Sequence, residues 1–287
     1  MSNYPIPKVI AEIGCNHKGD LDIAKELIIL AKNCGADYAK FQKRQVKELL
    51  SEEQYLRPHP VSYHAYGQNY GEHREYLEFD LEQHKELKAF CAFNGIGYAT
   101  SVWDLTSAKE IINLNPDYIK IPSACNNNES LLSFLRDNYE GQIHISLGMT
   151  TIEEQALILS LFSGQLNSLV LYACTSGYPV SFEDSCLLEI SKLKMEYGDH
   201  IAGVGFSGHH LGIAIDIAAY TLGALWIERH FTKDRTWKGT DHAASLEPAG
   251  LSKLIRDLFA THQSLTYKPK QLLEVESDTR NKLKYKD

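Results

Sequence analysis

The sequence lacks several features that mark whole classes of protein. No apolar run approaches the roughly 20 residues that a membrane-spanning helix needs, and the first residues show no secretory leader pattern. Basic residues are in deficit, because 29 Lys and Arg against 37 Asp and Glu give a formal net charge of −8. A nucleic-acid groove requires clustered positive charge. We therefore expect neither a membrane nor a nucleic acid as the partner.

Cysteine and glycine motifs are also missing. The six cysteines are irregularly spaced and form no C-x-x-C pair, which argues against a zinc ribbon or a disulfide framework. Reduced thiols in a cytoplasmic protein are the expectation. No G-x-G-x-x-G follows the first strand-like run, so a dinucleotide-binding open sheet has no motif to support it.

Eight short apolar runs are present, rich in Ile, Val, Leu, Tyr and Ala and without clean polar alternation. This pattern is typical of strands that are buried on both faces of a parallel sheet. The runs are Val9–Gly14, Tyr38–Gln42, Gly97–Ser101, Tyr118–Pro122, Gln142–Leu147, Ser168–Cys174, Ile201–Phe206 and Ala224–His230.

Segments of helical length lie between these runs, with apolar residues three or four apart, and several end in Gly. Eight strands that alternate with helices predict a TIM (β/α)8 barrel over residues 1–265, followed by a polar tail over 266–287. A doubly wound open sheet is the less favoured alternative. The long connection Lys43–Phe79, rich in Tyr and His, is predicted to be a lid or a binding loop.

Polar residues gather where the predicted strands end. Because active sites of TIM barrels form at the carboxyl ends of the strands, these side chains are expected at one shared rim. They are Glu12, Asn16, His17, Lys40, Gln42, Thr100, Ser101, Lys120, Ser123, Thr175, Tyr178, Ser207, His209, Glu228 and His230.

His209 and His230 end adjacent strands, and neighbouring strands lie about 4.8 Å apart. The two imidazoles can therefore converge on one divalent metal, with Mn²⁺ or Mg²⁺ suited to additional oxygen ligands. The alternative is that one or both only satisfy local hydrogen bonds. His210 is expected to point outward or to cap the following helix.

Lys40 and Lys120 each lie within an apolar strand, where an unpaired ammonium group is costly. They either hold an anionic substrate, or one is a Schiff-base nucleophile, or their heads lie on the outer surface of the barrel. In the charged segment after the last strand, Asp241 is a candidate for sugar hydroxyls and Arg235 for a phosphate or a partner carboxylate. A simple solvated loop is equally compatible with that composition.

Five blocks spread over nearly the whole chain resemble the sialic acid (N-acetylneuraminate) synthase family. They are IAEIGCNHKGDLDIAKELI, GADYAKFQ, ACTSGYPVSFEDS, FSGHHLGIAIDIAAYTLGA and IERHFTKDRTWKGTDHAASLEP. The resemblance implies a TIM barrel, a homodimer, and condensation of phosphoenolpyruvate with an aldose or aldose phosphate. The products would be a 3-deoxy-2-ulosonic acid and phosphate, with the help of Mn²⁺, Mg²⁺ or Co²⁺.

The resemblance also implies roles for individual residues. His209 and His230 match the metal ligands and, with Glu12, the catalytic set. Matches to phosphoenolpyruvate contacts are Lys40, Thr100, Lys120, Ser123 and Ser207. Matches to sugar contacts are Glu12, Gln42, Tyr178 and Asp241, and the expected substrate-binding set is completed by Thr175, Ser176 and Arg235. Whether Glu12 or a metal-bound water activates the attacking water is left open.

The chain departs from the family pattern at several points. Ser207-Gly208-His209 stands where the family usually has Ser-Asp-His, Cys125 replaces a frequent Glu, and Ser176 replaces an Asn. The family's small antifreeze-like C-terminal domain is also expected to be absent. These departures predict an acceptor other than N-acetylmannosamine, namely an aldose or aldose phosphate without the N-acetyl group. A Schiff-base pyruvate aldolase and a non-catalytic sugar-binding relative are the alternative functions.

Overall fold

The computed structural model describes residues 4–285, so the extreme ends of the predicted barrel and tail, residues 1–3 and 286–287, lie outside it. Eight parallel strands pair in chain order and close into a barrel through β1 and β8. The predicted TIM barrel is confirmed, and every predicted strand appears within two residues of its expected bounds. The strands are β1 Lys8–Glu12, β2 Tyr38–Lys43, β3 Gly97–Val102, β4 Tyr118–Ile121, β5 Gln142–Ser146, β6 Leu169–Cys174, β7 Gly203–Gly208 and β8 Trp226–His230.

Helices surround the barrel and begin and end at residues suited to those positions. Helix α1 begins after Asp20, whose carboxylate accepts hydrogen bonds from two backbone amides, and ends at Gly35 in a left-handed conformation. The helices are α1 Leu21–Cys34, α2 Val46–Leu49, α3 Glu52–Leu56, α4 Tyr70–Tyr76, α5 Leu81–Asn94, α6 Leu105–Ile112, α7 Glu129–Asn138, α8 Ile152–Leu161, α9 Leu188–Tyr197, α10 Ala214–Leu222, α11 Pro248–Ser264 and α12 Ser277–Leu283. No helix among residues 4–285 is long and apolar enough to cross a membrane.

Alternate strand residues face the barrel axis. The half of the barrel nearer the amino ends of the strands is filled with aromatic and imidazole rings. The rings of Tyr118 and His144 stack with centroids 3.8 Å apart, and Trp226 packs edge-on against His144 at 4.5 Å. Tyr38 and Tyr172 complete this aromatic layer. The layer fills the barrel interior and forms the floor of the polar cavity at the carboxyl end of the strands.

Two residues further along each strand, the inward positions become polar. The change is staggered between neighbouring strands: Glu12 pairs with Lys40, whereas Lys120 pairs with His144 and Ser146 with Tyr172, both of which belong to the floor. The inward residues above the floor are Glu12, Lys40, Gln42, Ser101, Lys120, Ser146, Cys174, Ser207, Glu228 and His230.

The connection Lys43–Phe79 folds over the mouth and contains the short helices α2, α3 and α4. It contacts the loop that follows β8: the hydroxyl of Tyr66 donates to the carbonyl oxygen of Lys238 at 2.5 Å, and the amide of Gly239 donates to His64 Nδ1 at 3.2 Å. The predicted long loop therefore borders the carboxyl end of the barrel.

The aromatic layer depends on a glycine in β7. A Cβ atom at Gly205 would lie 2.5 Å from the ring of Tyr172, whereas one at Gly203 would meet Trp226 at 3.6 Å, an ordinary contact. We expect Gly205→Ala to lower the free energy of unfolding by about 1–3 kcal/mol, because overpacking forces a buried ring to move. Urea unfolding of both variants measures this, with Gly203→Ala as the matched control. Equal stability of the two would contradict the packing argument.

Candidate active site

A cavity of about 310 Å³ opens at the carboxyl end of the barrel. Its walls combine inward strand residues with residues from the loops that follow the strands. The lining residues are Glu12, Lys40, Gln42, Arg44, Arg74, Ser101, Trp103, Lys120, Pro122, Ser123, Ala124, Ser146, Met149, Cys174, Ser176, Tyr178, Ser207, His209, Glu228, His230, Thr240 and Asp241.

Both strand lysines point into this cavity, so the alternative that placed their heads on the outer surface is wrong. Lys40 and Lys120 are each only 2% exposed. Lys40 forms an ion pair with Glu12 and donates to the hydroxyl of Ser101 at 2.9 Å. The ammonium group of Lys120 lies 3.6 Å from the ring centroid of Tyr172, in the floor. Burial of both cations is possible because carboxylates and an aromatic face surround them.

Glu228 joins the two lysines. Its carboxylate accepts two hydrogen bonds from Lys120, both at 3.0 Å, and one from the hydroxyl of Ser207 at 3.0 Å. It also lies 3.7 Å from the ammonium group of Lys40. The network thus spans β2, β4, β7 and β8 and fixes all four strand ends relative to one another.

The protonation states of Glu228, Lys40 and Lys120 follow from their burial and from the neighbouring charges. Burial tends to raise the pKa of Glu228, but Lys120 and Lys40 outweigh it, so the pKa of this carboxyl is held well below its usual range. Burial tends to lower the pKa of Lys40, but Glu12 and Glu228 outweigh it and the pKa is raised. For Lys120 burial prevails, and its pKa is lowered.

The two histidines meet at the rim, with ring centroids 5.5 Å apart, and Tyr178 lies against His209 at 4.2 Å. Nδ1 of His209 is 2.9 Å from the carbonyl oxygen of Thr175. A carbonyl oxygen only accepts, so Nδ1 carries the proton and Nε2 keeps its lone pair. Burial, followed by the charge of His230, lowers the pKa of His209 to about 4, which leaves the ring neutral at pH 7.

His230 has a ring nitrogen that is available to bind a metal ion. Its Nδ1 is buried, has no hydrogen-bond partner among the described residues, and lies 3.9 Å from an oxygen of Asp241. No group of three His, Cys, Asp or Glu within residues 4–285 is already arranged around a common point for a metal ion. Two available imidazoles near a carboxylate therefore fit a divalent cation whose remaining ligands are substrate or water oxygens.

Thr100, a member of the expected substrate-binding set, lies outside the cavity. Its side chain points to the helical shell and is fully buried there, outside the cavity, while the neighbouring Ser101 faces inward. Thr100 pairs in register with Phe41 and Ile119, both of which pack in the outer core. Because successive strand residues face opposite sides, a shift of one position exchanges a cavity residue for a core residue.

Two loop residues of that set also lie outside the cavity. The hydroxyl of Thr175 donates to the carbonyl oxygen of Asp184, and only its own carbonyl oxygen serves the site, by holding His209. The exposed guanidinium of Arg235 donates to the carbonyl oxygen of Ala243. The structure places these two side chains outside the cavity, and their substrate contacts stay predictions.

Asn16 and His17, expected at the rim, also lie outside the cavity: Asn16 donates to the carbonyl oxygen of Phe231 and His17 stacks on Phe79. His210 lies outside it as well, 3.2 Å from Asp216 of α10. The cavity residues brought together are Glu12, Lys40, Gln42, Lys120, Ser123, Ser176, Tyr178, Ser207, His209, His230 and Asp241. Sequence reasoning did not assign Arg44, Arg74, Trp103, Ser146, Met149, Cys174 or Thr240, although they line the same cavity. The alternation of inward and outward residues along β5 and β6 could have indicated Ser146 and Cys174. No sequence pattern indicated the loop residues.

The fold and this cavity define a (β/α)8-barrel enzyme whose mouth holds paired lysines, carboxylates and histidines. The family model described as the NeuB family matches residues 27–270. The chain therefore belongs to the NeuB family, which confirms the resemblance to sialic acid synthases.

Named relatives cover most of the chain. It is 38% identical over 275 residues to N-acetylneuraminate-9-phosphate synthase of Mus musculus, which spans 96% of this chain and 76% of that protein. It is 35% identical over 249 residues to N,N'-diacetyllegionaminic acid synthase of Campylobacter jejuni, spanning 86% and 73%. The solved N-acetylneuraminic acid synthetase of Leptospira borgpetersenii is 28% identical, with a TM-score of 0.81 over 99% of this chain and 94% of that one.

The pair Lys120–Glu228 allows a direct test of the buried network. Removing one partner leaves the other charge buried, so Lys120→Met and Glu228→Gln are each expected to lower the free energy of unfolding by about 3–5 kcal/mol. The double variant should lose clearly less than the sum, because it leaves fewer unpaired charges. Denaturant unfolding measures all four proteins.

The exposed pair Lys85–Glu82 serves as the control, and Glu82→Gln should leave the unfolding midpoint unchanged. Strict additivity of the Lys120 and Glu228 variants would show that the two charges do not depend on each other.

Proposed function

We propose that the cavity condenses phosphoenolpyruvate with an aldose and releases phosphate and a 3-deoxy-2-ulosonic acid. Membership of the NeuB family supports this, since its named relatives include an N-acetylneuraminate-9-phosphate synthase and an N,N'-diacetyllegionaminic acid synthase. The structural observation that carries the proposal is the convergence of Lys40 and Lys120 beneath the imidazoles of His209 and His230. Ammonium groups suit the enol phosphate, and we propose that the acceptor aldehyde binds at the imidazole pair.

A divalent cation, Mn²⁺ or alternatively Mg²⁺ or Co²⁺, is proposed at His209 and His230, with Asp241 nearby. When bound there, it supplies Lewis acidity to the aldehyde oxygen. The electrostatic balance of the cavity supports this proposal. Lys40 is paired with Glu12 and Lys120 with Glu228, so the lysine end carries no surplus positive charge. A substrate with both a carboxylate and a phosphate would remain uncompensated without further positive charge.

The chain's own groups then hold the reactants. The lysines and the hydroxyls of Ser101, Ser123 and Ser207 bind the anionic ends of phosphoenolpyruvate and present C3 toward the rim. A bond forms between C3 of the enol and the aldehyde carbon, whose oxygen takes up a proton. Tyr178, which lies against His209, covers this position and limits the access of water.

Water then adds to C2 and gives up one proton to a base. The C2–O bond to phosphate breaks with its electron pair on the phosphate oxygen, which takes the remaining hydroxyl proton, so that C2 becomes the ketone. Glu12 is the better proton acceptor for this water. One of its oxygens accepts from Gln42 at 2.7 Å and the other is ion-paired with Lys40 alone, whereas Glu228 is bound by three hydrogen bonds, lies near both lysines and has a lowered pKa. A strongly stabilised carboxylate is a poor base.

The acceptor is proposed to differ from N-acetylmannosamine. The wall next to Ser123 is apolar, made by Pro122, Ala124 and Met149. Cys125 is turned away, with its sulfur 3.7 Å from the carbonyl oxygens of Val102 and Pro122. This wall therefore offers no carboxylate to an amide group of an amino sugar.

A Schiff-base aldolase is the second candidate, and the lowered pKa of Lys120 is the one observation that favours it. The bidentate contact of the same ammonium group with Glu228 argues for a charged, substrate-holding role instead. We further propose a cytoplasmic enzyme that acts as a homodimer.

Phosphate release from phosphoenolpyruvate, measured over a panel of aldoses and aldose phosphates with Mn²⁺, tests the proposed reaction. We expect His209→Gln and His230→Gln to lower kcat at least about 100-fold and to weaken Mn²⁺ binding measured by calorimetry, because each removes a ligand. The exposed His200 provides the control, and His200→Gln should match the unaltered chain in both measurements.

Borohydride treatment in the presence of pyruvate separates the two candidates. The synthase leaves every lysine unlabelled and loses activity with a chelator. Labelling of Lys120, with turnover that is insensitive to the chelator, would establish the aldolase instead. Absence of phosphate release with every acceptor would refute the proposed condensation.

A further inference from the structure

One ring of the aromatic floor contacts a charged group of the site. The centroid of the Tyr172 ring, on β6, lies 3.6 Å from the ammonium nitrogen of Lys120. The rings of Tyr38, Tyr118 and Trp226 pack against one another instead. A cation that faces an aromatic ring is attracted by the π electrons of that face. Tyr172 therefore links the floor of the barrel to the chemistry of its mouth.

The ring of Tyr172 is fixed by two contacts. Its hydroxyl is 2.9 Å from Nδ1 of His144, and Nε2 of that imidazole is 3.5 Å from Oε1 of Gln142. An amide oxygen only accepts, so Nε2 carries the proton and Nδ1 accepts a hydrogen bond from the Tyr172 hydroxyl. Toward β7, the ring occupies the space that a side chain at Gly205 would need. The ring therefore cannot turn away from Lys120 without losing its hydrogen bond.

The groups behind Lys120 are uncharged. Burial, followed by the charge of Lys120, holds the pKa of His144 well below its usual range, so the imidazole is neutral at pH 7. Tyr172 is fully buried, and this burial raises the pKa of its hydroxyl well above the usual range. A neutral ring attracts the ammonium group without cancelling its charge. A second carboxylate in that place would instead repel an anionic substrate.

Glu228 is the other partner of Lys120, at 3.0 Å, and an incoming anion competes with this carboxylate for the same ammonium donors. The Tyr172 ring does not compete, because it interacts with the charge and not through an oxygen acceptor. It can therefore hold the ammonium group while the hydrogen bonds of that group are exchanged. We propose that Tyr172 is a positioning residue for phosphoenolpyruvate binding, whose ring, oriented by His144, holds Lys120 toward the anionic substrate. This inference rests on the proposed function.

Phosphoenolpyruvate binding, measured by calorimetry with Mn²⁺ and without an acceptor, tests the role of the ring. Tyr172→Leu should raise the Kd of phosphoenolpyruvate about 10- to 30-fold, because a desolvated cation–π contact is lost. Tyr172→Phe keeps the ring and should bind within about threefold of the unaltered chain. In turnover, Tyr172→Leu should raise the KM of phosphoenolpyruvate and leave the KM of the acceptor unchanged.

Tyr38→Leu is the matched control, because it removes a tyrosine ring from the same layer that packs on Tyr118 and Trp226 and not on Lys120. It should lower the free energy of unfolding and leave the Kd of phosphoenolpyruvate unchanged. Equal weakening of binding by Tyr38→Leu and Tyr172→Leu would overturn the proposal, since the layer would then act only as a scaffold. An unchanged Kd in folded Tyr172→Leu would overturn it as well.

Gly205→Ala displaces the same ring without removing it, and it decides the question if Tyr172→Leu does not fold. The added Cβ atom would lie 2.5 Å from the Tyr172 ring, whereas a Cβ atom at Gly203 makes an ordinary contact. We expect Gly205→Ala to weaken phosphoenolpyruvate binding about 3- to 10-fold and Gly203→Ala to leave it unchanged. Equal Kd values for these two variants would then overturn the proposal.

The binding measurement separates this proposal from the proposed reaction. If Tyr172→Leu weakens phosphoenolpyruvate binding while no acceptor supports phosphate release, the proposed reaction fails and the positioning role stands. If turnover occurs while Tyr172→Leu leaves phosphoenolpyruvate binding unchanged, the positioning role fails alone. Absence of phosphoenolpyruvate binding to the unaltered chain would refute both.

Discussion

The carboxylate of Glu228, held between two buried ammonium groups, is the interaction on which the mouth of this barrel depends. Burying a lone lysine costs several kcal/mol, and two lysines in one cavity also repel each other. Contact with Glu228 at 3.0 Å and 3.7 Å offsets both costs and ties β2, β4 and β8 together. The site is therefore built before any substrate arrives. An incoming anion exchanges partners within an existing network, so few protein groups need to be ordered when it binds.

Much of the fold could be predicted from the sequence, because a strand buried on both faces leaves a composition that is visible without alignment. The eight runs were located within two residues, and both lysines were found because a charge inside an apolar run is itself a signal. The face that each residue occupies was harder to predict. In GYATSV, the residues of β3, Thr100 shares its face with Tyr98 and Val102, which pack in the outer core. Ser101 shares the inward face with Ala99 and meets Lys40 there. The parity of Tyr98 and Val102, rather than the polarity of Thr100, was therefore the signal for the face.

Loop residues of the site were less predictable for a different physical reason. A strand-end residue is positioned by a periodic element, whereas Arg74 and Thr240 reach the cavity only because the connection Lys43–Phe79 folds back against the loop after β8. That contact joins segments more than 170 positions apart, through Tyr66 and Lys238. Length and composition indicated a functional loop but could not indicate its partner. Arg235 shows the opposite case. It lies in the loop after β8, which contributes residues to the cavity, but its guanidinium group donates to the carbonyl oxygen of Ala243.

Gly208, which stands where the resemblance leads one to expect an acidic residue, has a local explanation. A Cβ atom there would lie 2.8 Å from the ring of Phe206 and 2.9 Å from that of His210, so the space beside the backbone is already filled. His210 lies 3.2 Å from Asp216, and Asp216 also pairs with Arg229 at 2.6 Å. Arg229 in turn donates to the carbonyl oxygens of His210 and Gly212, which fixes the backbone immediately after His209. The carboxylate that this buried arginine requires is thus supplied from the first turn of α10.

Glu228, Arg229 and His230 are consecutive in β8. On the inner face of the strand, Glu228 pairs with the lysines, and on its outer face Arg229 binds the loop after β7. His230 places an imidazole at the end of the strand. That division of tasks explains why an apolar strand ends in three ionisable residues.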